Sequence, residues 1–344
     1  MKSNIWKAIV LMVVLSSCNK ENDPVLQDDS VLITIPDINF EAQLIEKGID
    51  SDGVVNHQLL SEDTDGVTML DLTFEGTDSD QKIIDLTGIE AFKDLLTLLV
   101  EDNALTSVSL SENTALERLN INGNMLTSID LSTNTSLSYL DASFNELEEI
   151  DLEANINLDT LRLQVNPIKA IDVSSNVNLV QLNLHANELT SVVGLDATTK
   201  LLSLNLSWNY LEELTINLPL LEGLNVEQNL LHTLNVDGST SLRYLIATTN
   251  ALETLNVDSN VALQTLLLSA NQIAAINLEN NENLNLLWIS SNQLQELDVS
   301  KLPELYDLSI GRNSDLSCIK IASDQSIATV RKEERQELSV NGCQ

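Results

Sequence analysis

Between Ile83 and Ser314 one short unit recurs eleven times, and the last fixed place in it is always Asn. The column reads Asn103, Asn124, Asn145, Asn166, Asn187, Asn209, Asn229, Asn250, Asn271, Asn292 and Asn313. Its steps are 21 residues, apart from one of 22 and one of 20 about Asn209 that restore the register. The adjacent stretches "LTSIDLSTNTSLSYLDASFNE" (126–146) and "LEEIDLEANINLDTLRLQVNP" (147–167) carry aliphatic residues at the other fixed places. A unit this short cannot bury its own leucines. Equal coils must stack, each covering its neighbour.

The invariant Asn has a backbone explanation. A coil that turns sharply inside a stack leaves N–H and C=O groups without ladder partners. A carboxamide has both a donor and an acceptor, so stacked asparagines can bond the turns above and below. Aromatic residues are only 3% of the chain, which suits a core of repeated aliphatic layers. On these residues a resemblance emerges. "LSYLDASFNEL" and "LVQLNLHANEL" look like the leucine-rich-repeat consensus LxxLxLxxNxL. The other half of each unit, "LTSIDLSTN" or "LETLNVDSN", is nearly LxxLxLxxN again, similar to a bacterial surface subclass with nested 21-residue repeats. The resemblance implies a right-handed solenoid, predominantly β though α/β by family class. The short unit leaves no room for a helix on the second face, so short strands are expected on both. With strands about 4.8 Å apart, eleven coils make a rod on the order of 50 Å long.

A solenoid needs covered ends. "IPDINFEAQLIEKGID" reads as a short capping helix with Asp37 as N-cap, Phe40, Leu44 and Ile45 as its apolar stripe, and Gly48 at its close. "VTMLDLTF" supplies a first strand. Residues 32–82 are therefore read as the N-terminal cap and 83–314 as the repeats. Residues 315–344 form a C-terminal cap that begins as a twelfth unit and then abandons the pattern.

The first 17 residues belong to export rather than to fold. Lys2 and Lys7 precede an apolar stretch from Ala8 to Leu15, too short for the roughly 20 residues of a membrane span. "LSSC" resembles the lipobox of bacterial lipoproteins, in which the leader is cut before the Cys and acyl chains are attached to it, here Cys18. An ordinary signal peptide ending near a Cys is the alternative. Residues 18–31 form a polar, acidic tether, and "KEND" within it resembles the tags that send some Gram-negative lipoproteins to the cell surface. The expected place is the outer membrane, with contact to it only through the lipid anchor. Export into an oxidising compartment favours a disulfide between Cys318 and Cys343 over two free thiols.

The formal charge is −35 and becomes −37 once Lys2 and Lys7 leave with the leader. Such a chain repels phosphate backbones, so nucleic-acid binding is not expected. His57, His185 and His232 are scattered, and no GxSxG, HExxH, P-loop or CxxC is present. Catalysis, a cofactor and a metal centre are not expected, and a monomer is.

What the repeat leaves free are the x positions of its strands, where the family meets ligands. One group, Arg118, Tyr139, Asp141, Arg162 and His185, makes a polar patch; another, Tyr244, Ile246, Leu267, Leu286 and Trp288, makes an apolar one. Exposed Trp, Tyr and Arg are common interface anchors, so a protein or glycan partner is expected there. Mutual covering of these side chains, and a passive envelope-spacing role, are the alternatives. On the other face Asp130, Asp151 and Asp172 recur, with Asn235, Asn256, Asn277 and Asp298 beyond them. Such a row is compatible with Ca²⁺, but more commonly it is a solvated face. "GIDSDGVV" resembles a calcium loop but departs from the EF-hand pattern at its first and twelfth places.

Overall fold

A computed structural model describes residues 31–342. The leader, Cys18, the tether through residue 30, and Cys343 lie outside the described residues. Thirteen three-residue strands, one per coil, build a single parallel sheet from Met69–Asp71 to Thr329–Arg331. Pairing is in register throughout, with Leu98 opposite Leu119 and Leu119 opposite Leu140. The central residue of each strand points inward, so the residues on either side form two outward columns. Inward leucines, isoleucines and valines merge into one apolar cluster from Ile35 to Ile319.

All eleven asparagines of the repeat line one corner of the stack. Each Oδ1 accepts an N–H of the preceding coil, and each Nδ2 donates to a carbonyl of that coil and to one or two of its own. For Asn145 the partners are Leu126 N at 3.0 Å, Ile121 O at 3.0 Å, Ala142 O at 3.2 Å and Ser143 O at 3.1 Å. The amides thus bridge to one neighbouring coil rather than to both. The longer step at Asn209 and the shorter one at Asn229 keep the same partners, Leu189 N and Leu211 N, so the register shift is absorbed in the loops.

A second asparagine column runs along the opposite corner. Asn113, Asn134, Asn155, Asn176, Asn260 and Asn281 are fully buried, and each Nδ2 donates to two carbonyls of the preceding coil. Their Oδ1 atoms have no partner among the described residues. Thr198, Leu218, Ser239 and Leu302 take this place in other coils. The residue before each corner asparagine of the first column is left-handed. In ten coils it is not Gly, including Val165 (φ 58) and Thr249 (φ 56); only Gly123 fits at no steric cost. Left-handed geometry is costly for a β-branched residue. Replacing the exposed Thr249 by Gly is therefore expected to raise stability by about 1 kcal/mol, after allowing for the freer unfolded chain. Urea denaturation checks it, and a destabilised variant would contradict it.

Strands on the second face form only in places. Ala170–Asp172 pairs with Ser191–Val193, Glu213–Thr215 with Thr233–Asn235, and Cys318–Lys320 lies between Leu297–Asp298 and Glu337–Ser339 and pairs with both. Elsewhere among the described residues this face lacks a ladder. Between the coils carrying Asp130 and Asp151 it opens into a groove of about 750 Å³.

At the front of the stack, the helix Ile38–Glu46 closes with Gly48 N donating to Ile45 O and Ile49 N to Leu44 O. Phe40 and Leu44 enter the core, while Ile45 is only half-buried. At the far end the repeat persists where the sequence departs from it. Thr329–Arg331 adds the last strand of the main sheet, and Gln325 and Gln336 stand in for Asn, their Nε2 groups donating to Val299 O, Leu302 O and Ile310 O. The longer side chain reaches the same kind of acceptor, which is why the continuation is hidden from an asparagine count. Cys318 is disulfide-bonded.

Candidate interaction surface

The third residue of a main-sheet strand has a structural task in many coils. Asn120, Asp141, Asn183, Asn205 and Asn225 each accept, through Oδ1, the N–H two residues on. This local turn holds the chain as it leaves the strand. In three successive strands the task is surrendered: Ile246, Leu267 and Trp288 occupy the place, paired side by side. They are half-buried, and Tyr244 beside them is 42% exposed. Leu286 lies next to Thr265 and Asp307 in the other outward column. The patch is braced rather than loose. Trp288 donates from Nε1 to Asp307 at 3.1 Å and lies under the Arg331 guanidinium, 5.4 Å from its ring centre. Tyr244 has Arg243 at 5.4 Å.

The polar group comes together in part. Arg118 stacks on Tyr139 with Cζ 3.5 Å from the ring centre, and Arg162 stands at 5.7 Å. Arg162 also reaches the Tyr139 hydroxyl at 3.3 Å and Asp141 at 3.8 Å. Glu101 borders this cluster. Its pKa is raised by burial first, then by Asp141, Asp102 and Asp71, while Arg118 opposes them. His185 does not join. It lies two residues beyond its strand, where the chain has turned, and Nδ1 meets Ser207 Oγ at 2.8 Å. Its ring meets Trp208 edge-on at 6.3 Å.

Trp208 belongs to a feature absent from the strand columns. Phe144, Val165, Ala186 and Trp208 are the left-handed residues of successive coils, and Tyr210 follows one place past the asparagine. Phe144, Trp208 and Tyr210 are each more than half exposed, and Val165, Ala186, Trp208 and Tyr210 share an open groove. Of the aromatic side chains in the described residues, only Phe40 and Phe92 are core. A 21-residue spacing of bulky residues beside the asparagines was the available signal.

On the second face the Asp and Asn row repeats the same local turn. Asp130, Asp151 and Asp172 accept from Ser132 N, Glu153 N and Ser174 N, as Asn235, Asn256, Asn277 and Asp298 do from their own followers. Hydrogen bonds from the hydroxyl and then the amide of Ser132 hold the Asp130 pKa below its usual value, and Ser174 does the same for Asp172. The row thus has a backbone explanation that works equally for Asp and Asn. Among the described residues no three His, Cys, Asp or Glu side chains converge as a metal cluster. No helix among them is long and apolar enough to cross a membrane.

The sheet and its asparagine corners define a leucine-rich-repeat solenoid. No family model matches the chain, and no curated protein does. Among solved structures it is similar to the functional domain of InlJ from Listeria monocytogenes, with a TM-score of 0.76 and 25% identity over 90% of this chain and 72% of that one. A leucine-rich-repeat protein of Leptospira interrogans follows at 0.61 and 24%, covering 73% and 74%. The leucine-rich effector YopM of Yersinia pestis gives 0.61 and 22%, covering 86% and 79%. These structural neighbours are bacterial leucine-rich-repeat proteins; the latter two speak to the fold alone.

Proposed function

We propose that the chain is a non-catalytic binding protein, exported and held at the outer membrane by lipid on Cys18, that meets a protein partner through its sheet face. A glycan is the second choice of ligand. The observation that carries this reading is the run Ile246, Leu267 and Trp288, where three consecutive coils give up a turn-holding side chain for an apolar one. That exchange forfeits the local turn bond which Asn205 and Asn225 make in the two coils before. Half-buried apolar groups gathered beside the exposed Tyr244 on one face favour contact, and Tyr244 and Trp288 have the anchor chemistry of interface hot spots. Arg118, Tyr139 and Arg162 form a second, polar contact on the same face. A solenoid gains an extended surface from stacking alone, so such contacts need no inserted loop. A Cys318–Cys343 bridge would hold the last coil closed beneath that surface.

The double substitution Tyr244→Ser and Trp288→Ser tests it. Partner capture by the purified ectodomain from its natural surroundings is expected to be lost, with the unfolding midpoint nearly unchanged. Undiminished capture would favour the passive envelope role instead.

A further inference from the structure

The helix Ile38–Glu46 leads into "GIDSDGVV", residues 48–55. Asp50, Asp52 and the left-handed Gly53 (φ 66) fall at the third, fifth and sixth places of an EF-hand loop. Gly48 and Leu59 stand at the first and twelfth, where that pattern places acids. The fold brings an acid from elsewhere. Glu41, wholly buried on the helix, accepts Asn56 N at 2.8 Å and Gln58 N at 3.2 Å through Oε1, which lashes its carboxylate to the loop. Its Oε2 is buried without a partner. Asp50 is 4% exposed, and its Oδ1 accepts Asp52 N at 3.3 Å. Its Oδ2 is likewise orphaned.

No Lys, Arg or His among the described residues pairs with Glu41, Asp50, Asp52 or Asp63. Burial first, then the charges of Asp52, Glu41 and Asp63, push the Asp50 pKa up, with the Asp52 amide opposing them. Two buried carboxylates in each other's field, each with a free oxygen, call for a proton or a cation. Asp52 and Asp63 spend their oxygens on Val54, Asn56 and Ser51, so the two orphaned oxygens of Glu41 and Asp50, with no basic side chain to neutralise them, are the hard ligands a cation needs.

We propose that Glu41 and Asp50 bind a calcium ion between the first helix and the 48–58 loop, with backbone carbonyls and water completing its oxygen shell. Calcium accepts such irregular sets of six to eight oxygens, whereas magnesium demands near-ideal octahedral geometry. The ion would tie the helix to the loop that carries the chain toward the first coil. This site is remote from Tyr244 and Trp288, so its failure leaves the sheet-face reading standing.

Titration calorimetry of the chelator-stripped protein with calcium chloride is expected to show one equivalent bound, and magnesium chloride a much weaker response. Glu41→Gln and Asp50→Asn should each weaken binding at least about tenfold, while the doubly substituted second face, Asp130→Asn with Asp151→Asn, should bind as the parent does. Thermal unfolding adds a sign test that does not depend on Glu41→Gln folding well. In chelator, Asp50→Asn should melt above the parent because a repelled buried charge is gone; in millimolar calcium the order should reverse as the ion stabilises only the parent. A melting curve unmoved by calcium, or an Asp50→Asn advantage that persists in its presence, overturns the proposal in favour of a shared proton.

Discussion

Asn145→Ala is expected to destabilise the chain by about 2–4 kcal/mol, whereas Asn155→Ala, at a still more deeply buried asparagine nearby, should cost no more than about 1 kcal/mol. The difference lies in what each leaves behind. Without Asn145, the buried Leu126 N–H loses its acceptor. The carbonyls it served keep other donors: Ile121 O still receives Asn124, and Ala142 O still receives Asn166. Removing Asn155 orphans nothing, because Leu131 O keeps Asn134 N and Asn134 O keeps Leu137 N. It even removes an unpartnered Oδ1. The chain itself tolerates Leu218 and Leu302 at that corner, but within the eleven repeats it never departs from Asn at the other. Each coil touches only its neighbours, so the loss should be local. Amide exchange at Leu126 is the sharpest readout, with urea denaturation for the total. Equal losses at the two sites would show that burial of the carboxamide, and not the orphaned N–H, sets the cost.

The same contrast explains how much was legible in the sequence. An acceptor needed in every coil enforces an unbroken column, and an unbroken column is visible by counting. The outward strand positions followed at once, because Leu98, Leu119 and their successors fix the alternation on either side. The second asparagine column is written in "LTSIDLSTN" as plainly as the first. Its interruptions at Thr198, Leu218, Ser239 and Leu302 hide it, and the chain can afford them because no N–H there depends on it. Phe144, Trp208 and Tyr210 were missed because the place beside the asparagine is fixed in backbone geometry rather than in residue type. Arg331 reached the apolar face from a segment that had dropped its asparagines, with Gln336 serving in their stead. His185 was misplaced by counting along a strand that had already ended. Glu41 lies too far from Asp50 in sequence for any local pattern to join them.

Asp37→Asn, nearly isosteric, should be almost as damaging as Asp37→Ala, each costing about 3–4 kcal/mol. Asp37 is 6% exposed, and both of its oxygens are fully used. Oδ1 accepts Asn39 N at 2.8 Å and Phe40 N at 3.1 Å, capping the helix. Oδ2 accepts Ile84 N at 2.7 Å and Asp85 N at 3.0 Å, from the start of the repeats. One carboxylate therefore joins the leading helix to the first coil through four N–H donors. An asparagine could satisfy only one of those pairs, since its NH₂ would face the other as donor against donor. A nine-residue helix is too short to persist alone, so the loss should appear as early release of the front segment. Limited proteolysis should cut within residues 31–82 while the central coils stay protected, and the amides of Ile84 and Asp85 should exchange first. If Asp37→Asn unfolds within about 0.5 kcal/mol of the parent, the two ends of that carboxylate do not act as one tie, and the leading segment is held by the burial of Phe40 and Leu44 alone.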